Sequence, residues 1–290
     1  MKRSRPVNTR RTRSQMVLLR EQIYEVVSEI APATVRQTFY QLVSRGIIDK
    51  TEGEYKHTVI PLLTKMRLSG EIPFDWIADN TRWMRKPKTY SSLEHMLSLS
   101  QATYRRALWD DQDEYVEIWL EKDALAGVLY EETAEWDVPL MVTRGYASVS
   151  YLYGAAQAII ANDKTTFLYY FGDYDPSGLD ISRATEARLR EFAGGVEIHF
   201  ERVAVTKEQI TAMGLPTRPT KQTDARTRNF EGESVEVDAI DPNELRRMVH
   251  DAIVRHIDED QLQRSRHIEH LERENFETFK RNIRQIGGAW

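Results

Sequence analysis

Between Glu114 and Val205 the apolar pattern of the chain changes period again and again, and few architectures accommodate that. Tyr115-Val116-Glu117-Ile118-Trp119-Leu120 reads as a strand and is followed by a helix to about Trp136. Pro139-Leu140-Met141-Val142 is a second strand, followed by a helix over Val149–Ala161. Thr165 to Phe171 is a third, Thr-Thr-Phe-Leu-Tyr-Tyr-Phe, followed by a helix over Leu179–Phe192, and Val196 to Val205 contains a fourth. Strands that alternate with helices of 10–15 residues predict an α/β fold with a parallel sheet covered on both faces. Three of the strands lack polar alternation, as expected for strands buried on both sides.

The flanking segments are helical. Leu18, Leu19, Ile23, Val26, Val27 and Ile30 recur at helical spacing, and Pro32 ends that helix. A second helix runs from about Thr34 to Arg45 and stops at Gly46. A third, Tyr55 to Leu68, carries Val59, Leu62, Leu63 and Met66, with Pro61 marking a kink. Short extended stretches over Glu71–Ala78 and the basic cluster Arg82, Arg85, Lys86 and Lys88 follow. Three short helices and then a basic β-wing is the order of a winged-helix DNA-binding domain. A helix from about Ser91 to Leu108 connects this part to the sheet. Gly214–Gly232, polar and with two prolines, reads as a loop, and from Asn243 onward the chain is charged and mainly helical, with Leu245, Met248, Val249, Ile253 and Ile257 on one face.

Charge divides the chain. Residues 1–110 hold 19 Lys/Arg against 11 Asp/Glu, a balance of +8; the remainder holds 21 against 34, or -13, which together give the net -5. A basic first third joined to an acidic remainder points to a polyanion as partner of the first part. Lys2, Arg3, Arg5, Arg10, Arg11 and Arg13 form a basic arm with no acid among them, suited to DNA phosphates through counterion release. The plainer reading of the arm is a solvated basic tail. The absence of cysteine excludes disulfides, thiolate zinc sites and a cysteine nucleophile, and fits a reducing cytoplasm. No apolar run approaches the ~20 residues that span a bilayer, and the basic N-terminus lacks the apolar stretch of a secretory signal. A cytoplasmic, nucleoid-associated protein is expected, with no membrane partner.

Glu121 directly follows the first strand, and Asp173 comes just after the third. In a parallel α/β sheet both positions lie on the edge where ligands bind, outside the carboxyl ends of the strands. Asp173 and Asp175, two apart on extended backbone, point the same way. Pro176 and Gly178 then make a tight turn into the helix at Leu179. Three converging carboxylates repel one another. A hard divalent cation, Mg²⁺ with Mn²⁺ as substitute, resolves that conflict through oxygen ligands. The alternative is that Asp173 and Asp175 build an Asx turn and cap the helix.

Glu121-Lys122-Asp123-Ala124-Leu125 with Asp173-Tyr174-Asp175-Pro176-Ser177-Gly178 resembles the Toprim domain, in the form carried by the topoisomerase VI A subunit and the related meiotic double-strand-break transesterase. That family reads Glu-Lys-Glu and Asp-Gly-Asp-Pro-(aromatic)-Gly, so the acids and the Pro-x-Gly turn survive here while the small residue between the aspartates does not. The family also places a catalytic tyrosine in a motif like Thr-x-Arg-Asp-x-aromatic-Tyr. This chain has Thr34-Val35-Arg36-Gln37-Thr38-Phe39-Tyr40, with Gln37 at the Asp position. The resemblance covers residues 15–75 weakly and 112–205 more firmly. The family's glycine-rich segment after the wing has no counterpart in Ile77-Ala78-Asp79-Asn80-Thr81-Arg82. It implies a basic arm (1–13), a winged-helix domain (14–90), a connecting helix (91–111), a Rossmann-like Toprim domain (112–242) and a helical extension (243–290).

Helical spacing puts Val35, Phe39, Leu42 and Val43 on the buried face, with Tyr40 and Arg36 together on its flank. An arginine there would favour the phenolate of a residue whose pKa is ordinarily near ~10. The structural alternative for Tyr40 is an amphipathic residue at the core edge. Lys122 would stabilise phosphate charge, or be an exposed lysine. The resemblance implies a transesterase in which Tyr40 forms a phosphotyrosyl link while Glu121, Asp173 and Asp175 hold Mg²⁺. It further implies double-stranded DNA as substrate, a homodimer in which Tyr40 serves the partner's metal site, and a separate ATPase subunit. Two other functions remain open at this level. One is a Toprim nuclease that uses metal-activated water; the other is a non-catalytic winged-helix DNA-binding protein.

Overall fold

A computed structural model gives the fold and describes residues 11–78, 87–220, 230 and 232–287. Its centre is a four-stranded parallel sheet of β1 (Glu114–Leu120), β2 (Leu140–Val142), β3 (Thr165–Phe171) and β4 (Ile198–Ala204), in the order β2-β1-β3-β4. β1 and β3 pair over their full length, from Glu114 opposite Thr165 to Leu120 opposite Phe171. After β1 the chain crosses outward to β2, and after β3 it crosses the other way to β4. The order therefore reverses between β1 and β3, and the crevice at such a switch point is where open α/β sheets bind ligands.

Alternation along the strands feeds two cores. Val116, Ile118 and Leu120 face one side with Tyr169 and Phe171; Trp119 faces the other with Leu168 and Tyr170. On the second face lie α7 (Val149–Asn162) and α8 (Pro176–Ala193), contributing Leu152, Ala156, Ile159 and Leu189. On the first lie α6 (Ala126–Glu135) and α10 (Pro242–Val254), the latter following the short α9 (Lys207–Ala212) in the chain. Leu245, Val249, Ala252 and Ile253 of α10 are wholly buried, so the start of the predicted extension is part of the sheet's core. The long α11 (Glu259–Gly287) instead lies along α5 (Leu93–Thr103): Gln101 donates to the Arg273 carbonyl, and the Tyr104 hydroxyl donates to Glu272.

The amino-terminal unit comprises α1 (Arg13–Ile30), α2 (Val35–Ser44), α3 (Glu52–Glu54), a π-helical run Tyr55–Val59 and α4 (Ile60–Leu68). Capping boxes start α1 and α2: Thr12 with Gln15, and Thr34 with Gln37. The kink expected at Pro61 takes the form of the wider π-helical turns that precede it, which accommodate a residue with no N–H. The extended wing expected over Glu71–Ala78 is replaced by a 3-10 turn at Phe74–Trp76 and one parallel bridge between Ile77 and Ala33. The rest of the wing, with Arg82, Arg85 and Lys86, lies outside the described residues, as do Arg3, Arg5 and Arg10 of the arm. The helical unit shares one continuous core with the first face of the sheet. Arg246 of α10 donates to the carbonyls of Ile30 and Pro32, and Asn243 to that of Glu29. Among the described residues no helix is long and apolar enough to cross a membrane.

β1 buries one acid. Glu117 is 2% exposed on the same face as Trp119, whose indole N–H donates to its carboxylate at 2.8 Å. Burial raises its pKa from 4.5 to about 7, against the pull of that hydrogen bond. The folded state then keeps a proton that the unfolded chain releases, and stability falls as pH rises from 4.5 through 7. Glu117→Gln keeps an acceptor for Trp119 and removes the titration. Chemical denaturation is expected to show the variant gaining on the wild type by about 3 kcal/mol between pH 4.5 and pH 8; parallel profiles would contradict this.

Candidate functional site at the sheet edge

The switch point brings Glu121 and Asp173 together. Leu120 and Phe171 end paired strands, and the Glu121 N–H donates to the Phe171 carbonyl at 2.9 Å. The Glu121 side chain turns across the crevice, where its Oε2 accepts the Asp173 N–H at 3.2 Å. Two glycines make room for it. A Cβ at Gly172 would strike Glu121 Oε2 and the Tyr170 ring, and one at Gly178 would strike the Asp173 carbonyl. Gly178 is thus required by close approach within the first turn of α8, not by the tight turn expected from sequence. The helix itself begins earlier than predicted, at Pro176, with Asp175 as its N-cap.

Each acid has a backbone partner that fixes it. Asp173 Oδ1 accepts the Val237 N–H at 2.9 Å, and Asp175 Oδ1 accepts the Gly178 N–H at 2.8 Å. The capping alternative therefore holds for Asp175, whose Oδ2 also stands 3.4 Å from Arg218. Asp173 and Glu121 do not cap the helix. Burial, then the charge of Asp173, pushes Glu121 up to about 7, and Asp175 adds to the rise. Asp173 is raised as well, by burial, with Lys122 and the Val237 N–H pulling the other way. Arg202, at the end of β4, holds the loop from behind: its guanidinium donates to the carbonyls of Gly172, Asp173, Gly178 and Val205.

A second layer of charge surrounds Lys122. It contacts Asp238 and lies 3.0 Å from Glu236. Burial alone would lower the lysine, but Asp238, Asp173 and Glu236 outweigh it and hold the ammonium charged. Lys122 is therefore the cation of a buried acidic cluster, not an exposed lysine. Glu236 also meets Arg36 at 3.2 Å and Arg218 at 2.7 Å; burial alone would raise it, but Lys122 first, then Arg36 and Arg218, bring it below the usual carboxylate value.

Tyr40 lies differently from its expected place. Gln37 through Leu42 are all buried, because α2 packs against the sheet unit near Val237–Ala239 as well as against its own helices. Tyr40 is 3% exposed, not on a free flank. Burial and then Glu236 push its phenol up to about 12; Arg36 opposes that shift but is outweighed. Arg36 itself stacks on Tyr55, 4.6 Å from the ring centre, and pairs with Glu236. Thr34 and Gln37, two residues of the tyrosine motif, are accounted for by the capping box that starts α2.

Of the basic residues singled out for DNA, Arg11 is engaged by Glu54 at 2.9 Å, Arg13 opens α1 and is exposed, and Lys88 is exposed. Sequence reading missed Arg202, Arg218, Glu236 and Asp238. A usable signal was present in Val235-Glu236-Val237-Asp238-Ala239, which places two acids at strand period between apolar residues. Arg202 carried a weaker one, as a cation at the carboxyl end of a strand.

The residues present suit a hard cation in part. Glu121 and Asp173 offer oxygen donors in a crowded negative crevice, and one or two carboxylates suffice for Mg²⁺ when water and phosphate complete its shell. Asp175 is turned to the helix. Among the described residues no three His, Cys, Asp or Glu side chains already stand as a metal cage. Substitution of the two glycines tests the cradle. Gly172→Ala and Gly178→Ala are each expected to cost about 1–3 kcal/mol in thermal unfolding. Gly154→Ala, at an exposed position of α7 where nothing lies within 4 Å, should gain about 0.5–1 kcal/mol. Equal effects at all three positions would contradict the close approach.

No protein-family model matches the chain and no curated protein matches it at a significant level, so its chemistry has to be read from the site itself.

Proposed function

We propose that the chain is a Mg²⁺-dependent DNA-cleaving protein that hydrolyses phosphodiesters, with a Toprim-like sheet unit and a winged-helix-like helical unit. The observation that carries this reading is the pairing of Glu121 with Asp173 at the β1/β3 switch point, in a crevice that only glycine at 172 and 178 leaves open. A divalent ion, when bound there, supplies charge neutralisation at the phosphate and a water of lowered pKa. Glu121 and Asp173 would hold it, with Mn²⁺ as a substitute. Lys122, Arg36 and Arg218 stand beside the carboxylates and would bind and orient the anionic backbone. The basic first third of the chain supports DNA as the substrate.

Water is favoured over Tyr40 as the attacking group by the burial of that phenol and its displacement to about 12, which leaves almost none of it ionised at neutral pH. One observation keeps transesterification as the second reading: Tyr40 lies within electrostatic reach of Glu236, Arg36, Asp238 and Lys122, the last next in sequence to Glu121. In that reading α2 has to unpack before the phenol meets a phosphate, and the homodimer and separate ATPase subunit belong to it alone.

Incubation with supercoiled plasmid and Mg²⁺ separates the two. Cleavage is expected to fall about 10²–10³-fold in Glu121→Gln and Asp173→Asn, and to persist in Tyr40→Phe with no protein–DNA adduct in the wild type. A covalent adduct that disappears with Tyr40→Phe, together with cleavage, would establish the tyrosine. Salt-sensitive DNA binding without cleavage under any divalent ion would leave a binding protein.

A further inference from the structure

Glu236 occupies the place of an oxyanion. Its side chain is 7% exposed, and cations from three separate segments converge on it. Arg218 reaches Oε1 at 2.7 Å, while Arg36 and Lys122 reach Oε2 at 3.2 and 3.0 Å. Lys122 also contacts Asp238 and Arg218 also stands 3.4 Å from Asp175, but Glu236 is the one group that all three cations share. Two guanidiniums and an ammonium form a donor set that recognises phosphate as readily as carboxylate. A cavity of about 240 Å³ adjoins the cluster, lined by Thr34, Arg36, Tyr55, Arg67, Lys122 and Asp238. Arg67 Nε is shut away from solvent without a hydrogen-bond partner.

The next residue blocks a second group. The Val237 N–H donates to Asp173 Oδ1, one of the oxygens of the carboxylate crevice. The segment has no sheet ladder: it pairs through two isolated bridges, Ser234 with Arg218 and Val235 with Tyr174, and is anchored by Val235, Val237 and Ala239 in the core. Consecutive residues thus occupy both the cations and a carboxylate oxygen.

We propose that Arg36, Lys122 and Arg218 form a phosphate seat, and that Glu236 is its built-in occupant, displaced when a phosphate of the substrate enters. The seat deepens the phosphodiester reading and rests on it for the natural ligand, a nucleic-acid backbone phosphate. Displacement of Glu236 draws Val237 away from Asp173, so that filling the seat also releases that carboxylate oxygen. The segment is then an autoinhibitory contact relieved by substrate. The competing account is an ion network that only fastens α2 to the sheet unit.

Inorganic phosphate is the probe, with no DNA and no divalent ion, so the outcome does not depend on cleavage. In thermal-shift titrations Glu236→Gln should be stabilised at about tenfold lower phosphate than the wild type, and Glu236→Gln combined with Arg218→Gln should lose that gain. A Glu236→Gln protein that folds and responds to phosphate as the wild type does overturns the seat. Should that variant fail to fold, amide exchange of the wild type decides. Phosphate, compared with chloride at equal ionic strength, should speed exchange at Val237 and its neighbours. Unchanged or slower exchange there overturns the displacement.

Discussion

Carboxyl groups gathered at the carboxyl edge of a parallel sheet repel one another and lose hydration, and the rest of this structure follows from how that is compensated. Glu121 and Asp173 are compensated by backbone N–H groups and by proximity to Arg202 and Lys122. Asp173 is held by Val237, and Val237 belongs to the segment that carries Glu236 and Asp238. Those two acids hold Lys122, and Glu236 holds Arg36 of the helical unit. A chain of charge compensation thus runs from the sheet crevice to α2, and it fixes how the two units meet.

That arrangement has consequences for reactivity. A tyrosine on α2 is drawn into the junction, and its burial costs it acidity. The same junction concentrates cations beside the carboxylate crevice without leaving them bare, since Glu236 occupies them. A site of this kind holds its cations in place around a carboxylate that is itself buried, while each cation keeps about a third of its side chain exposed. Breaking one ion pair leaves others unbalanced, so substitutions at Glu236 act on the stability of the junction as well as on the freedom of its cations.

The strands and the helices between them were legible because buried parallel strands have to be apolar throughout; Thr165–Phe171 was read to the residue. Glu121 and Asp173 were legible because strand ends in such sheets converge by topology. Asp175 is expected as a ligand; Pro176 starts α8 and makes Asp175 its cap through Oδ1, a local role that the strand-end argument does not weigh. Tyr40 was placed on a helix flank by periodicity, which describes one helix and not the partner it packs against; the contact with Val237–Ala239 comes from two hundred residues away, as the Arg36–Glu236 hydrogen bond does. Arg218 was invisible for the same reason, in the stretch Gly214–Gly232 whose polar composition reads as loop, while Glu236 carried only the strand-period signal of Val235–Ala239. Of the expected wing, Phe74–Trp76 takes a 3-10 turn where an extended stretch is expected, and Arg82, Arg85 and Lys86 lie outside the described residues.

The proposed chemistry stands or falls with a single divalent-cation site held by Glu121 and Asp173. Calorimetric titration of the DNA-free protein with Mn²⁺ reads that site without any cleavage step, with Glu121→Gln and Asp173→Asn alongside. One site is expected in the wild type, lost or weakened at least about tenfold in both variants, each of which stays folded. Binding that is absent from the wild type, or unchanged in both variants, would contradict it.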